Sequence, residues 1–92
     1  MNQERLEDVI GILTKISDYL YQENTKPAYL HLIHILPSFE QVIAEIPSEE
    51  EQNELANKLA DALNAMEAED HTLLADMLQY DIIEQLNQYR AG

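Results

Sequence analysis

The side chains best suited to metal chemistry in this sequence are two histidines. His31 and His34 occur in LHLIH, one helical turn apart, which is a spacing that metal sites use. Two histidines do not complete a coordination shell, and neither an HExxH nor an ExxH pattern occurs in the chain. We therefore expect His31 and His34 to be solvated, with binding of zinc or nickel as the alternative.

Acid–base chemistry would fall to Asp76, Tyr80 and Asp81, in the apolar run LLADMLQYDIIEQL at 73–86. Two carboxylates divide such work when their environments separate their pKa values. However, Asp76 and Tyr80 are four residues apart, which equally fits an ordinary pair of neighbours on a helix. No sequence feature implies the pocket that a catalyst needs. We expect neither catalysis nor a cofactor.

Other patterns that carry chemistry are also incomplete. The acidic run SEEEQNE lacks the glycine-bearing loop of an EF-hand calcium site. The sequence contains no phosphate-binding glycine loop, no nucleophile elbow and no cysteine. These absences from the sequence favour a binding role over an enzymatic one.

The charge of the chain restricts its partners. Eighteen acidic residues against five Lys and Arg give a net charge of −13. Nucleic acids and anionic membranes would be repelled, which leaves basic proteins, neutral apolar surfaces or cations. Alternatively, the charge serves only to keep a small protein in solution. With no apolar leader segment and no run long enough to span a membrane, we expect a cytoplasmic protein.

Ninety-two residues are enough for one domain, which we place at 1–92. The first predicted helix runs from Gln3 to Gln22 and has one apolar face. Thr25 is predicted to cap the second helix. Pro37 lies in the middle of this helix, but the apolar residues before and after it follow the same helical phase. We therefore expect one kinked helix rather than two. The apolar positions are Leu6, Val9, Ile10, Leu13, Ile16 and Leu20 in the first helix, and Tyr29, Leu32, Ile33, Leu36, Phe39, Val42, Ile43 and Ile46 in the second.

A capping box, formed by Ser48 with Glu51, predicts a third helix from Glu49 to Glu67. Asp70 is a candidate N-cap for a fourth helix, although one long helix is conceivable because neither Gly nor Pro separates the two. The prediction is an all-α fold, an up-and-down four-helix bundle whose second helix is kinked at Pro37.

The fourth helix has more apolar residues than one core face requires. Leu74, Ala75, Leu78, Ile82, Leu86 and Tyr89 form the core face. On the other side, apolar residues are interspersed with polar ones, as in a contact surface with apolar anchors and a polar rim. We predict a protein interface there, formed by Leu73, Asp76, Met77, Tyr80 and Ile83. Two alternatives are ordinary scatter of exposed apolar residues and burial of this helix on more than one side.

The run LLADMLQYDIIEQL also resembles the LADLLEYEI-like C-terminal signature of small, uncharacterised all-helical proteins of Gram-positive bacteria. The residues that carry the resemblance include Leu74, Ala75, Asp76, Leu78, Tyr80 and Ile82. Gln79 and Asp81 depart from the two glutamates of that signature: Gln79 is not an acid, and Asp81 is a shorter one. The resemblance implies a helical domain of unknown function and supplies no activity.

Together these observations predict a non-catalytic protein–protein interaction module that uses the outer side of its last helix. The partner would be a second copy, in a homodimer, or a different protein. A related possibility is a small acidic chaperone or regulator that holds a basic or apolar segment of another protein. The partner, the biological process and the oligomeric state are left open by the sequence.

Overall fold

A computed structural model describes residues 1–91 of the chain, and in this range it is helical with no β-strand. Three long helices come first: α1 (Gln3–Tyr21), α2 (Thr25–Ala44) and α3 (Glu49–Glu67). The C-terminal helix follows in three consecutive parts, which are α4 (His71–Asp76), a π-helical segment (Met77–Ile82) and α5 (Ile83–Asn87). Four helices were predicted, and four are found.

The apolar face predicted for α1 is confirmed, since all six of its residues are buried. Helix α1 packs against α2 and against the C-terminal helix, and α3 packs against the same two elements. Their apolar side chains form a shared core. Its largest fully buried members include Phe39, Leu6, Leu13, Ile16, Leu32, Ile46, Leu55, Leu74, Leu78, Ile82 and Leu86.

Helix α2 is a single element that continues through Pro37. Its N-cap residue is Asn24, and Thr25 is already the first helical residue, so the prediction of Thr25 as the cap was wrong by one position. The reason lies in the turn before it. Glu23 adopts a left-handed conformation with φ of 60°, so the chain reverses its direction within the three residues between α1 and α2. Thr25 can therefore already be helical.

The predicted core face of α2 was wrong at one residue. Ile33 is 55% exposed, although Leu32, Phe39, Val42 and Ile46 are buried as expected. Helix α2 contacts α1 over most of its packed surface and α3 over less. Its buried stripe is therefore narrower than the apolar arc seen in the sequence, and Ile33 falls outside it.

The two connections that precede α2 and the C-terminal helix have the same backbone structure. After α1, Glu23 N–H donates to the Leu20 carbonyl and Asn24 N–H to the Tyr19 carbonyl. After α3, Glu69, with φ of 57°, and Asp70 make the corresponding bonds to Met66 and Ala65. Both are Schellman motifs, in which the left-handed position favours glycine. Here glutamate occupies that position in each connection.

The predicted boundaries of α3 are confirmed. The Ser48 side chain accepts a hydrogen bond from Glu51 N–H at 3.2 Å, which is the first half of the capping box. The Glu51 carboxylate instead accepts from the Tyr89 hydroxyl at 3.0 Å. At the next boundary, Asp70 caps the C-terminal helix by accepting from Leu73 N–H. Helix α3 and the C-terminal helix are therefore separate.

The π-helical segment changes which residues of the C-terminal helix face the core. A π-helix bonds each residue to the fifth along rather than the fourth, so it takes up about one more residue per turn. Residues after the segment are rotated relative to a regular α-helix. Ile83 consequently lies in the core at 6% exposure, and the prediction that it faces outward was wrong.

Candidate functional site

The outer side of the C-terminal helix carries exposed apolar side chains, as the sequence predicted. Leu73 is 45% exposed and Tyr80 is 62% exposed, and their spacing of seven positions, close to two turns, places both on the outer side of the helix. Asp76 is exposed between them, while Met77 is half-buried against the core. Ile83 does not belong to this surface. We call Leu73, Asp76, Met77 and Tyr80, together with Tyr21 of α1, the C-terminal face.

Tyr21 joins this face through Asp76. Its hydroxyl donates to Asp76 Oδ1 at 2.7 Å, and the ring is 48% exposed. The hydrogen bond to the carboxylate, with smaller effects of desolvation and of the Asp76 charge, raises the pKa of Tyr21 to about 12. The structure therefore pairs Asp76 with Tyr21 of another helix, whereas the acid–base hypothesis paired it with Tyr80.

A shallow acidic cleft lies beside the C-terminal face, between α3 and the C-terminal helix. Its volume is about 170 Å³, and Tyr80 forms part of its wall. Four carboxylates and one ammonium group line it: Glu51, Glu54, Asp81, Glu84 and Lys58. The excess of negative charge continues the rim of the C-terminal face onto α3.

The cleft is held in shape by Gln85, whose side chain is buried although it is polar. Lys58 Nζ donates to Gln85 Oε1 at 2.8 Å, and Gln85 Nε2 donates to the Tyr89 hydroxyl at 3.0 Å. Lys58 also lies 3.4 Å from Glu54. The Tyr89 hydroxyl, which accepts from Gln85, has a raised pKa, mainly because the phenol is partly buried. The one cation of the cleft is thus already paired with groups of the protein.

The two histidines of LHLIH have different surroundings. His31 is half-buried and stacks on the Tyr19 ring, with 5.7 Å between centroids, while His34 is exposed. The expectation of solvated histidines therefore holds for His34 and only in part for His31. Among residues 1–91, no three His, Cys, Asp or Glu side chains lie close enough together to hold a metal ion.

Two contributions to the exposed apolar surface were not predicted from the sequence. Tyr21 is the penultimate residue of the predicted first helix, and no local pattern indicates that it would reach a carboxylate 55 positions later. The other is the pair Leu30 and Ile33 on α2, which are 52% and 55% exposed. Leu30 could have been found, because it lies outside the apolar spacing of α2.

No helix within the described part of the chain is both long and apolar enough to cross a membrane. Comparisons of the sequence with curated proteins and with solved structures give no match. One family model matches residues 3–92, and its description is "Domain of unknown function (DUF8042)". Because this match covers nearly the whole sequence, the four helices, the C-terminal face and the acidic cleft all lie within it, and the chain belongs to the DUF8042 family.

Proposed function

We propose that this protein is a non-catalytic protein–protein interaction module whose contact surface is the C-terminal face. The observation that carries the proposal is the pair Leu73 and Tyr80, two large apolar side chains exposed on one side of a helix and bordered by carboxylates. Exposed aromatic and aliphatic anchors within a polar rim are the usual composition of a binding surface.

Charge favours a basic segment of another protein as the partner. Asp76 lies between the anchors, and four more carboxylates line the adjacent cleft, where Lys58 is paired with Gln85 and Glu54. A segment with Lys or Arg beside apolar residues would place cations over the rim and apolar groups over Leu73 and Tyr80. This corresponds to the acidic chaperone or regulator considered from the sequence.

Self-association through the same face is less favourable on electrostatic grounds. A two-fold contact places the same patch of both copies in apposition. Asp76 of each copy, with Asp81 and Glu84 of the adjoining cleft, would then come close to the same acidic patch of the other copy, and like charges in proximity oppose association. A homodimer formed through the C-terminal face is therefore our second choice.

We also propose the topology of the bundle, the kink in α2 and the cellular location of the protein. Helices α1 and α3 each contact both α2 and the C-terminal helix, which supports an up-and-down bundle. Pro37 cannot donate a hydrogen bond to the Ile33 carbonyl, which supports a kink in α2. We also propose a cytoplasmic location in a Gram-positive bacterium, and no binding of nucleic acid or membrane by a chain of charge −13.

The test is a titration with a synthetic amphipathic peptide of Lys and Leu residues, measured by isothermal calorimetry. We expect binding that weakens at least about tenfold in the double variant L73S/Y80S, because two anchors are removed. The matched control is L30S/I33S, which removes two equally exposed apolar residues from α2 and should bind as the wild type does. A peptide of Glu and Leu should not bind.

Equal affinity of the wild type and L73S/Y80S would mean that charge alone attracts the peptide, and the proposed surface would be wrong. Both double variants change exposed positions, so circular dichroism should show unchanged helix content. If the wild type alone increases in mass with protein concentration and L73S/Y80S does not, the C-terminal face forms a homodimer instead.

A further inference from the structure

Helix α2 carries a second exposed apolar surface, away from the C-terminal face. Leu30 and Ile33 are three residues apart and therefore adjacent on the helix, and each is more than half exposed. Pro37 is exposed one turn beyond Ile33. We call the exposed residues Lys26, Leu30, Ile33, Pro37 and Glu40 the α2 face.

The charge of α2 differs from that of the rest of the chain. Between Thr25 and Ala44 there is one lysine, Lys26, and one glutamate, Glu40, so the helix has no net charge with its histidines neutral. Helix α3 has six acids and one lysine, which leaves −5. Two copies of a protein of charge −13 repel each other least where these neutral helices meet.

The two charges of α2 are also placed so that they match a second copy. Lys26 lies seven residues before Ile33, and Glu40 lies seven residues after it. Seven residues are close to two turns, and all three residues are exposed, so they lie on the same side of α2, with Pro37 between Ile33 and Glu40. If two α2 helices pack antiparallel about a two-fold axis at Ile33, each Lys26 lies opposite the partner's Glu40.

We propose that the α2 face is a self-association surface, at which two copies of the chain form an antiparallel α2 pair. Ile33 meets the partner's Ile33 at the two-fold axis, Leu30 packs near the partner's Pro37, and two Lys26–Glu40 pairs close the ends. Neither Lys26 nor Glu40 makes an ion pair within residues 1–91, so both are available. This inference is independent of the peptide-binding role of the C-terminal face.

The expected dimer is weak. A helix of 20 residues is about 30 Å long, and one helix face per subunit buries less than the ~800 Å² of a standard interface. Association should therefore develop over roughly micromolar to millimolar concentrations. Added salt should strengthen it, because screening reduces the repulsion between two chains of −13 more than it weakens two exposed ion pairs.

The first test is sedimentation equilibrium of the full chain up to about 1 mM. The wild type should rise from 10.6 kDa towards twice that mass. The variant I33E should remain monomeric, because it places two carboxylates at the two-fold axis. The matched control L73E adds the same charge at a similarly exposed position of the C-terminal face and should associate as the wild type does.

A wild type that stays at 10.6 kDa throughout would overturn the proposal, as would association of I33E equal to that of the wild type. Loss of association in L73E but not in I33E would assign the contact to the C-terminal face instead.

The second test is a charge reversal. K26E and E40K should each weaken association about tenfold, since each converts two attractive pairs to repulsive ones. The double variant K26E/E40K should return to within about threefold of the wild type. Within one chain the two residues are 14 positions apart, or about 21 Å, beyond the Debye length at physiological salt. Recovery can therefore arise only between copies, and failure to recover would overturn the antiparallel arrangement.

Discussion

Tyr21 and Asp76 form a hydrogen bond between the end of α1 and the outer side of the C-terminal helix. The phenol donates to the carboxylate at 2.7 Å, although both residues are exposed. A bond to an ionised acceptor is shorter and stronger than one between neutral groups. The bond holds the Tyr21 hydroxyl at Asp76, so the exposed Tyr21 ring adds to the apolar surface of the C-terminal face.

The Tyr21–Asp76 bond predicts an unusual alkaline titration. The pKa of Tyr21 is raised from its ordinary value of 10.0 to about 12, first by the hydrogen bond to Asp76. Its contribution to stability is therefore fully present below pH 10.0 and is lost as the pH rises to about 12. Carbon NMR of the tyrosine Cζ signals should resolve this titration, with Y21F assigning it.

In the variant D76N, the pKa of Tyr21 should move down towards 10.0, because the carboxylate that accepts the phenol's hydrogen bond, and with it the negative charge beside the phenol, is gone. The matched control D81N changes a neighbouring exposed aspartate that does not bond to Tyr21 and should leave the titration in place. A Tyr21 pKa of 10.0 in the wild type would contradict the hydrogen bond.

At the scale of the elements, the π-helical segment determines which residues of the last helical turns face the core. It allows Ile82 and Ile83 to be buried together, while Gln85 turns towards α3 and bonds to Lys58. In a regular α-helix, Ile83 would have pointed away from the core face set by Leu74 and Leu78. The acidic cleft beside Tyr80 therefore depends on the change of helical register.

Two alanine substitutions test this register. I83A should lower the free energy of unfolding by about 2–4 kcal/mol, because it opens a cavity in a packed core. L73A, at an exposed position of the same helix, should change it by less than about 1 kcal/mol. Urea denaturation followed by circular dichroism measures both. If I83A and L73A both lowered the free energy of unfolding by the same small amount, Ile83 would lie outside the core. The C-terminal helix would then be a regular α-helix without the π-helical segment.

The left-handed glutamates allow a stabilising substitution. A side chain at positive φ crowds the following carbonyl, and glycine avoids this cost at the residue that ends a helix. E69G should therefore raise the free energy of unfolding by about 0.5–1 kcal/mol. The control A60G, at an exposed position inside α3, should lower it by a similar amount. Destabilisation by both would show that Glu69 is not in the left-handed conformation.

Much of the element structure could be predicted from local signals. Ser48 and Asp70 are side-chain caps that depend only on residues three positions away, so the starts of α3 and the C-terminal helix were correct. Ile33 and Ile83 were both assigned to the wrong side. A helical wheel assumes a uniform turn and a fixed buried width, whereas the π segment and the narrow packing of α2 depend on the other helices.

At the scale of the whole molecule, the uneven distribution of charge separates two kinds of contact. The C-terminal face adjoins the acidic cleft, while α2 has equal numbers of opposite charges. An acidic surface attracts cationic segments and repels a second copy. A neutral apolar face allows two copies to meet despite their total charge, so the two faces should respond differently to the ionic strength of the solution.

The ionic-strength prediction is that salt acts in opposite directions on the two contacts. Raising sodium chloride from about 50 mM to about 500 mM shortens the Debye length more than threefold. Binding of the Lys and Leu peptide should weaken, since its long-range attraction is screened. Self-association should strengthen, since repulsion between chains of −13 is screened. Calorimetry and sedimentation at the two salt concentrations measure these effects, and a common direction would contradict the separation of the faces.

The most direct test of the C-terminal face is an NMR titration of nitrogen-15-labelled protein with the Lys and Leu peptide. The largest amide shift changes should occur at Leu73, Asp76, Met77 and Tyr80 and at the end of α1 near Tyr21. The amides of Leu30 and Ile33 should change little. Largest changes on α2, or uniform small changes over all acidic residues, would contradict the account.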